Sequence, residues 1–302
     1  MVTTKNKTLY YLGIILLLAT FVPFYFIFFA YPEKTFLRIP ITFDSAEMPL
    51  LKTKIEKNSY WIKLDLGSKF QMTLSKSILN SLNKTPHAIA HWRDSKGNFY
   101  EAPSFSIPKI VIGETFALTN FIAVQKNDNH EKNTTIWDDD QNAIRSVEFG
   151  SLGRPLLEKT NLLLDFPHSA IFLCKDNKSF EQTGISLEEM TKVPFEKTLK
   201  GMIIKTETNQ GSLRLLIDTC STVSIIRASL LENLEHPKEK HGFSVFTSSQ
   251  FVIGDKNFGK QKFLLYDLAS ELQELDGVLG MDFLKTHLVY IDYSNTTIFI
   301  GE

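Results

Sequence analysis

Past residue 35 the apolar positions fall in short runs of Val, Ile, Phe and Leu. The breaks between them, such as "KGN", "IGE", "TNQGS" and "IGDKNFG", carry the Gly, Asn and Asp that turns require. Runs of that length without a sustained helical period predict a mainly β chain with few helices. Ahead of them, Thr8 to Pro32, "TLYYLGIILLLATFVPFYFIFFAYP", contains no charged residue and is long enough to cross a bilayer core as a helix. It predicts a short tail over 1–8 and a transmembrane signal anchor over 9–31. The apolar stretch is long for a cleaved signal peptide, and "FIFFAYPEK" has no small-x-small cleavage site. Lys5 and Lys7 are nearly matched by Lys34 and Arg38, so charge alone leaves the orientation open. A single anchor before a long globular region predicts a single-pass membrane protein with that region periplasmic or extracellular.

Self-comparison adds a second layer of order. "SLGRPLLEKTNLLLDFPHSAIFL" (151–173) lies over "VLGMDFLKTHLVYIDYSNTTIFI" (278–300) without a gap, placing Gly153 on Gly280, Asp165 on Asp292 and Ile171 on Ile298. Upstream, "LLKTKIEKNSYWIKLDLGS" lies over "MIIKTETNQGSLRLLIDTCS", placing Lys52 on Lys205, Thr53 on Thr206 and Asp65 on Asp218. Between these, "IPKIVIGETFALTNFIAV" and "SSQFVIGDKNFGKQKFLLY" pair Gly113 with Gly254. Three matched segments in the same order predict two similar lobes in tandem, over 32–174 and 195–302. The polar stretch 175–194 then reads as a linker with room for one short helix.

Composition narrows the function. Lys and Arg number 33 against 34 Asp and Glu, for a formal net charge of -1 without a basic block, so a nucleic-acid partner has no electrostatic support. The two cysteines, Cys174 and Cys220, form neither a metal-spaced cluster nor a disulfide framework, although a bond between them stays open.

Each lobe carries an apolar strand ending in Asp with a serine three residues later, then a Leu-Gly turn, a short helix and a final strand pair. This pattern resembles the retropepsin-like aspartic peptidases, and "DGVLGMDFLKTHLVYIDYSNTTIFI" is similar to their C-terminal signature almost throughout. The resemblance covers most of 48–173 and 200–300. It implies two tandem retropepsin-like acid-protease β-barrel lobes in a pepsin-like arrangement, with no cofactor and no metal. An intramolecular pseudo-dimer of this kind needs no obligate homodimer. The catalytic pair it implies is Asp65 and Asp218, two carboxylates that share one proton because both cannot ionise at close range. One acts as base towards a water and the other as acid towards the carbonyl of a polypeptide substrate.

The family motif, Asp-Thr/Ser-Gly-Ser/Thr/Ala, gives each following position a task. The glycine lets its N–H reach the carboxylate, the Thr hydroxyl ties the two loops together, and the final hydroxyl orients the aspartate. Asp65-Leu66-Gly67-Ser68 keeps the glycine and serine but has Leu66 at the tie. Asp218-Thr219-Cys220-Ser221 keeps both hydroxyls but has Cys220 for glycine. The expected supports are therefore Gly67, Ser68, Thr219 and Ser221. Leu66 should loosen the pair, and Cys220 should crowd the carboxylates and the water. These departures leave a rival reading open: a catalytically disabled pseudopeptidase serving as a peptide-binding or envelope scaffold. The resemblance also implies a substrate-covering hairpin. "AHWRDSKGNFYEAPSFSIP" (90–108) is the candidate, with Trp92, Gly97 and Tyr100 as flap residues that either line the cleft or pack within the hairpin. The second lobe's "EKHGFSVFTSSQ" (239–250) is shorter.

Other chemistry is weaker. Asp165 and Asp292 read as turn or strand-end carboxylates. His87 and His91 have the spacing that a helix would need for metal ligation but no third ligand. "WDDDQN" (137–142) lacks the alternation of a calcium loop and reads as a solvated insertion. Cys220 as a nucleophile lacks a neighbouring base.

Overall fold

The computed structural model describes residues 36–55, 58–94, 97–112, 116–126, 133–137, 143–147, 150–231, 238–240, 243–269 and 272–302. The expected tail and anchor over 1–31 lie outside these, as do Gly113 and most of "WDDDQN". Among the described residues no helix is long and apolar enough to cross a membrane. Among the described residues strands dominate, and each helix is six residues long or shorter.

The duplication read from the sequence recurs strand for strand. In the first lobe Pro49–Ile55 pairs antiparallel with Asn58–Asp65, which runs parallel to Gly150–Gly153. That strand is antiparallel to Met72–Leu74, itself parallel to Phe116–Gln125. In the second lobe Met202–Thr208, Gly211–Ile217, Gly277–Leu279, Ile225–Arg227 and Gln261–Tyr266 repeat that order and those directions. The registers agree too: Lys52 faces Trp61 as Lys205 faces Arg214, and Leu64 faces Leu152 as Ile217 faces Leu279. Alternation explains why. In Pro49–Ile55, Leu51, Thr53 and Ile55 are buried while Lys52 and Lys54 face solvent, and a one-residue slip would expose that whole set.

Six antiparallel strands join the lobes, in the order Phe36–Phe43, Ala170–Cys174, Asn161–Asp165, Leu288–Asp292, Thr297–Gly301 and Thr191–Lys197. At its centre Leu162 faces Ile291 and Leu164 faces Val289, so the pseudo-twofold passes beside Leu163 and Tyr290. The outer strands repeat as well. Arg38 lies over Phe172 at 5.9 Å and Lys192 over Phe299 at 6.0 Å, with Pro40 and Pro194 two residues on. Even backbone strain is copied: Ser169 and Thr296, at matching turns, adopt left-handed conformations (φ 51° and 47°) that non-glycine residues rarely take.

The stretch 175–194 is more structured than a linker. It forms a helix over Asn177–Glu181 and a 3-10 turn over Leu187–Glu189, and from Thr191 it is already the edge strand of the joining sheet. Phe180 and Met190 pack with Leu163, Phe172 and Tyr290, and the Phe180 and Tyr290 rings lie 4.2 Å apart. Ile185 and Leu187 pack against the same cluster, so four apolar residues in a polar stretch cover one face of the sheet. Its other face adjoins a continuous apolar core running through both lobes, from Leu64, Leu66 and Met72 to Leu215, Leu279 and Phe283. Residues 36–302 form one compact unit.

Candidate active site

Asp65 ends the strand Asn58–Asp65, and Asp218 follows the strand Gly211–Ile217, its N–H donating to the Leu279 carbonyl (3.1 Å). Each chain then turns sharply over a Gly from the other half of its lobe. A Cβ on Gly153 would strike the Phe70 carbonyl oxygen at 1.9 Å, and one on Gly280 the Ser221 oxygen at 2.6 Å, so only glycine lets those strands pass so close. The two loops meet at the pseudo-twofold.

Thr219 makes the tie between them. Its hydroxyl donates to the Leu64 carbonyl (2.6 Å) and accepts from the Leu66 N–H (3.0 Å), serving two buried backbone groups of the opposite lobe. Leu66 cannot reciprocate, but it is wholly buried in the core. Burial of a leucine is worth about 1.5–3 kcal/mol, more than the ~1 kcal/mol net of one hydrogen bond. Leu66 thus adds buried apolar surface to the core in place of that hydrogen bond.

The two carboxylates are held differently. Asp218 accepts from the Cys220 N–H (2.8 Å) and from the Gly67 N–H. The backbone donor that a glycine would supply is therefore kept despite the cysteine side chain, and Cys220 is not in the left-handed region. Asp65 accepts from the Ser68 N–H and the Cys220 thiol. The thiol also lies 3.6 Å from the Leu64 carbonyl, so its one proton has two acceptors. Gly67, by contrast, has no room for a side chain: a Cβ would stand 2.6 Å from Asp218 Cγ. Burial, then the neighbouring Asp218, pushes Asp65 up to about 7, and burial also raises Asp218. Such a pair titrates as a unit.

The serines do not do what the motif predicts. Ser68 Oγ accepts from the Phe70 N–H (3.2 Å) and Ser221 Oγ donates to the Val223 carbonyl (2.8 Å). Each closes its own turn rather than orienting an aspartate, because a serine three residues past the Asp can satisfy the turn's backbone locally.

Asp65, Gly67, Ser68 and Cys220, but not Asp218, line a cleft of about 1450 Å³ to which both lobes contribute. Over it stands the hairpin of Thr85–Arg93 and Phe99–Ile112. Its tip is fixed by Asp94, which accepts from the Asn98 N–H and Tyr100 hydroxyl, while Gly97 (φ 84°) bends the turn. Trp92 and Tyr100 both line the cleft and stack on each other at 5.6 Å, so the two expected roles coincide. Phe70 was not singled out by the sequence. It meets Trp92 edge-on at 5.5 Å and joins the flap to the Asp65 loop. His87 and His91 lie on this strand rather than on a helix. Asp165 and Asp292 sit at strand ends, bonded to His168 and Asn295. No disulfide joins Cys174 and Cys220; Cys174 is buried away from the cleft, which pushes its thiol up to about 12.

On one flank the lobes are clasped by charge. Arg154, buried, pairs with Glu158 and donates to the Thr198 carbonyl (3.3 Å), and Glu158 also takes Lys197 (2.6 Å). The duplicated position of Glu158 is Lys285, which pairs with Glu47 (2.7 Å) in the reverse direction. Arg154 and Glu158 are four residues apart, but no sequence signal marks the contacts to Thr198, Lys197 and Glu47, since those partners come from the opposite half of the chain.

No protein-family model and no curated protein matches the sequence. Solved structures share its fold. They include an aspartic proteinase from Irpex lacteus (TM-score 0.56, 11% identity, 88% of this chain and 97% of that one). Conglutin gamma, a basic 7S globulin from lupine seeds, matches at 0.56, 11%, 89% and 95%, and basic 7S globulin from soybean at 0.55, 11%, 88% and 95%. The chain therefore has a mainly β, pepsin-like fold. A fold shared by a proteinase and seed globulins leaves the reaction to be read from the site.

Proposed function

We propose that this chain is a retropepsin-like aspartic endopeptidase, anchored in a membrane through residues 9–31 with its lobes on the periplasmic or extracellular side. The observation that carries the reading is the pairing of Asp65 and Asp218. They sit at equivalent strand ends, tied by Thr219 across the lobe interface, and share an environment that raises the proton affinity of both. A singly protonated pair holds a water as nucleophile. The ionised carboxylate takes its proton as the oxygen attacks the peptide carbonyl, and the protonated one donates to the carbonyl oxygen. The flap residues Trp92 and Tyr100 then exclude solvent from the bound polypeptide.

A second reading is favoured by one contact, the Cys220 thiol on Asp65, where a glycine would leave space for the water. In that case the cleft binds polypeptide without cutting it. The test is incubation of the purified full chain in detergent with an unfolded protein in mild acid, with products identified by mass spectrometry. Cleavage supports the peptidase. Intact substrate with wild type but fragments with Cys220→Gly identifies the scaffold reading and its cause.

A further inference from the structure

The two lobes present unlike surfaces to the cleft, and the duplication shows where they part. Two residues before Asp65 the strand carries Lys63, and two residues before Asp218 its counterpart carries Leu216. Both line the cleft. Across the neighbouring strands Lys63 faces Ser151, which faces Thr73. In the second lobe Leu216 faces Val278, which faces Ile225. The same three places on matching strands are thus polar in one lobe and aliphatic in the other.

Thr73 and Ser151 line the cleft beside Lys63, whose ammonium pairs with the buried Asp44 at 3.4 Å. Thr73 Oγ1 accepts from the Ser151 N–H (3.0 Å), and the two hydroxyls lie 3.0 Å apart. Each hydroxyl carries one proton. Whichever of the two donates to the other, one hydroxyl proton is left with no acceptor among the described residues. On the other flank Leu216 packs with Ile203, Leu275 and Val278, and Leu272 joins that cluster from the cleft.

We propose that the cleft selects polypeptide with an uncharged hydrogen-bond-accepting side chain, of the Gln, Asn, Ser or Thr kind, on one side of the bond presented to Asp65 and Asp218, and an aliphatic side chain on the other. The inference rests on the peptidase reading for the ligand being a polypeptide, and it adds the substrate class. Once a ligand has displaced water, the spare hydroxyl proton is satisfied only by an acceptor, and an aliphatic side chain there strands it. The Leu216–Leu272 surface has the reverse preference, since an amide buried against it loses its water without gaining a partner. A site with a donor rejects a ligand lacking the acceptor more strongly than an apolar pocket rejects a polar isostere. The first-lobe flank therefore sets most of the discrimination.

The test is fluorescence anisotropy with the full-length Asp218→Asn chain in detergent, so that binding is read without cleavage. The probes are labelled peptides of one length whose central pair is Gln-Leu, Leu-Gln, Leu-Leu or Gln-Gln between the same flanks of Ala and Gly. One of the two mixed orders is expected to bind at least about five-fold tighter than the other three peptides, the worth of one net hydrogen bond. Thr73→Ile/Ser151→Val gives the first lobe the pair that the same strands hold in the second, and should make Leu-Leu the tightest. Leu216→Thr puts a hydroxyl into the aliphatic flank and should lift Gln-Gln to the level of the mixed order. Circular dichroism verifies the fold of both, and the four-peptide ranking needs neither. In the wild type, kcat/KM should follow the binding order. A smaller lead, or a ranking that the folded variants leave unchanged, would overturn the inference. Cleavage without the ranking removes this inference alone. The ranking without cleavage by the wild type removes the peptidase reading and leaves a binding cleft with these two flanks.

Discussion

Gly67 lies against the Asp218 carboxylate so closely that a Cβ would stand 2.6 Å from Asp218 Cγ, whereas its duplicated counterpart Cys220 carries a thiol to Asp65. The dyad is therefore closed on one side and adapted on the other. Gly67→Ala must push Asp218 out of place, and displacing a preorganised charged group costs about 100-fold or more in rate. Steady-state kcat/KM checks this, and a loss of less than ten-fold would mean that the loop yields.

Cys220→Gly has a signed effect on pH dependence. The thiol hydrogen bond favours the Asp65 anion, so removing it raises the residue's proton affinity. The alkaline limb of the kcat/KM profile should move to higher pH, and activity should rise as space opens beside the carboxylates. A limb that moves down or stays fixed would show that the thiol does not engage Asp65.

Thr219→Val removes the hydroxyl while keeping its shape, leaving the Leu66 N–H buried without its partner and the Leu64 carbonyl with only the weak Cys220 thiol donor. A stranded buried group costs about 1–3 kcal/mol, so the loss should be about that much unfolding free energy. Thr219→Ser should recover most of it. Urea denaturation followed by tryptophan fluorescence reads the difference.

Stability should itself depend on pH through Asp65. Its folded value of about 7 exceeds the 3.8 of an ordinary aspartate, so between these the folded chain binds more protons than the unfolded one. Asp65's contribution is then fully present below about 4 and is lost as pH rises towards 7. Asp65→Asn should flatten this part of the pH–stability curve. A steeper curve in the variant would contradict the assignment.

The duplication was legible because its signals are local and repeated. The buried Thr53 and Thr206, the close-passing Gly153 and Gly280, and the strand-end Asp165 and Asp292 keep the same residue type for the same packing reason. The same comparison located Asp65 and Asp218. Contacts that break the symmetry left no trace. Ser68 and Ser221 match the motif yet close their own turns, and the Arg154–Glu158–Lys197 clasp joins residues whose duplicates differ in charge or polarity. The edge strand from Thr191 was hidden in a polar stretch, although Lys192-Val193-Pro194 repeats Arg38-Ile39-Pro40.

The central claim is that Asp65 and Asp218 together hydrolyse peptide bonds. Cleavage of an unfolded protein in mild acid by wild type, Asp65→Asn and Asp218→Asn, each verified as folded, tests it most directly. Fragmentation by wild type and none by either variant is the predicted result; fragmentation that persists in both variants would contradict the dyad.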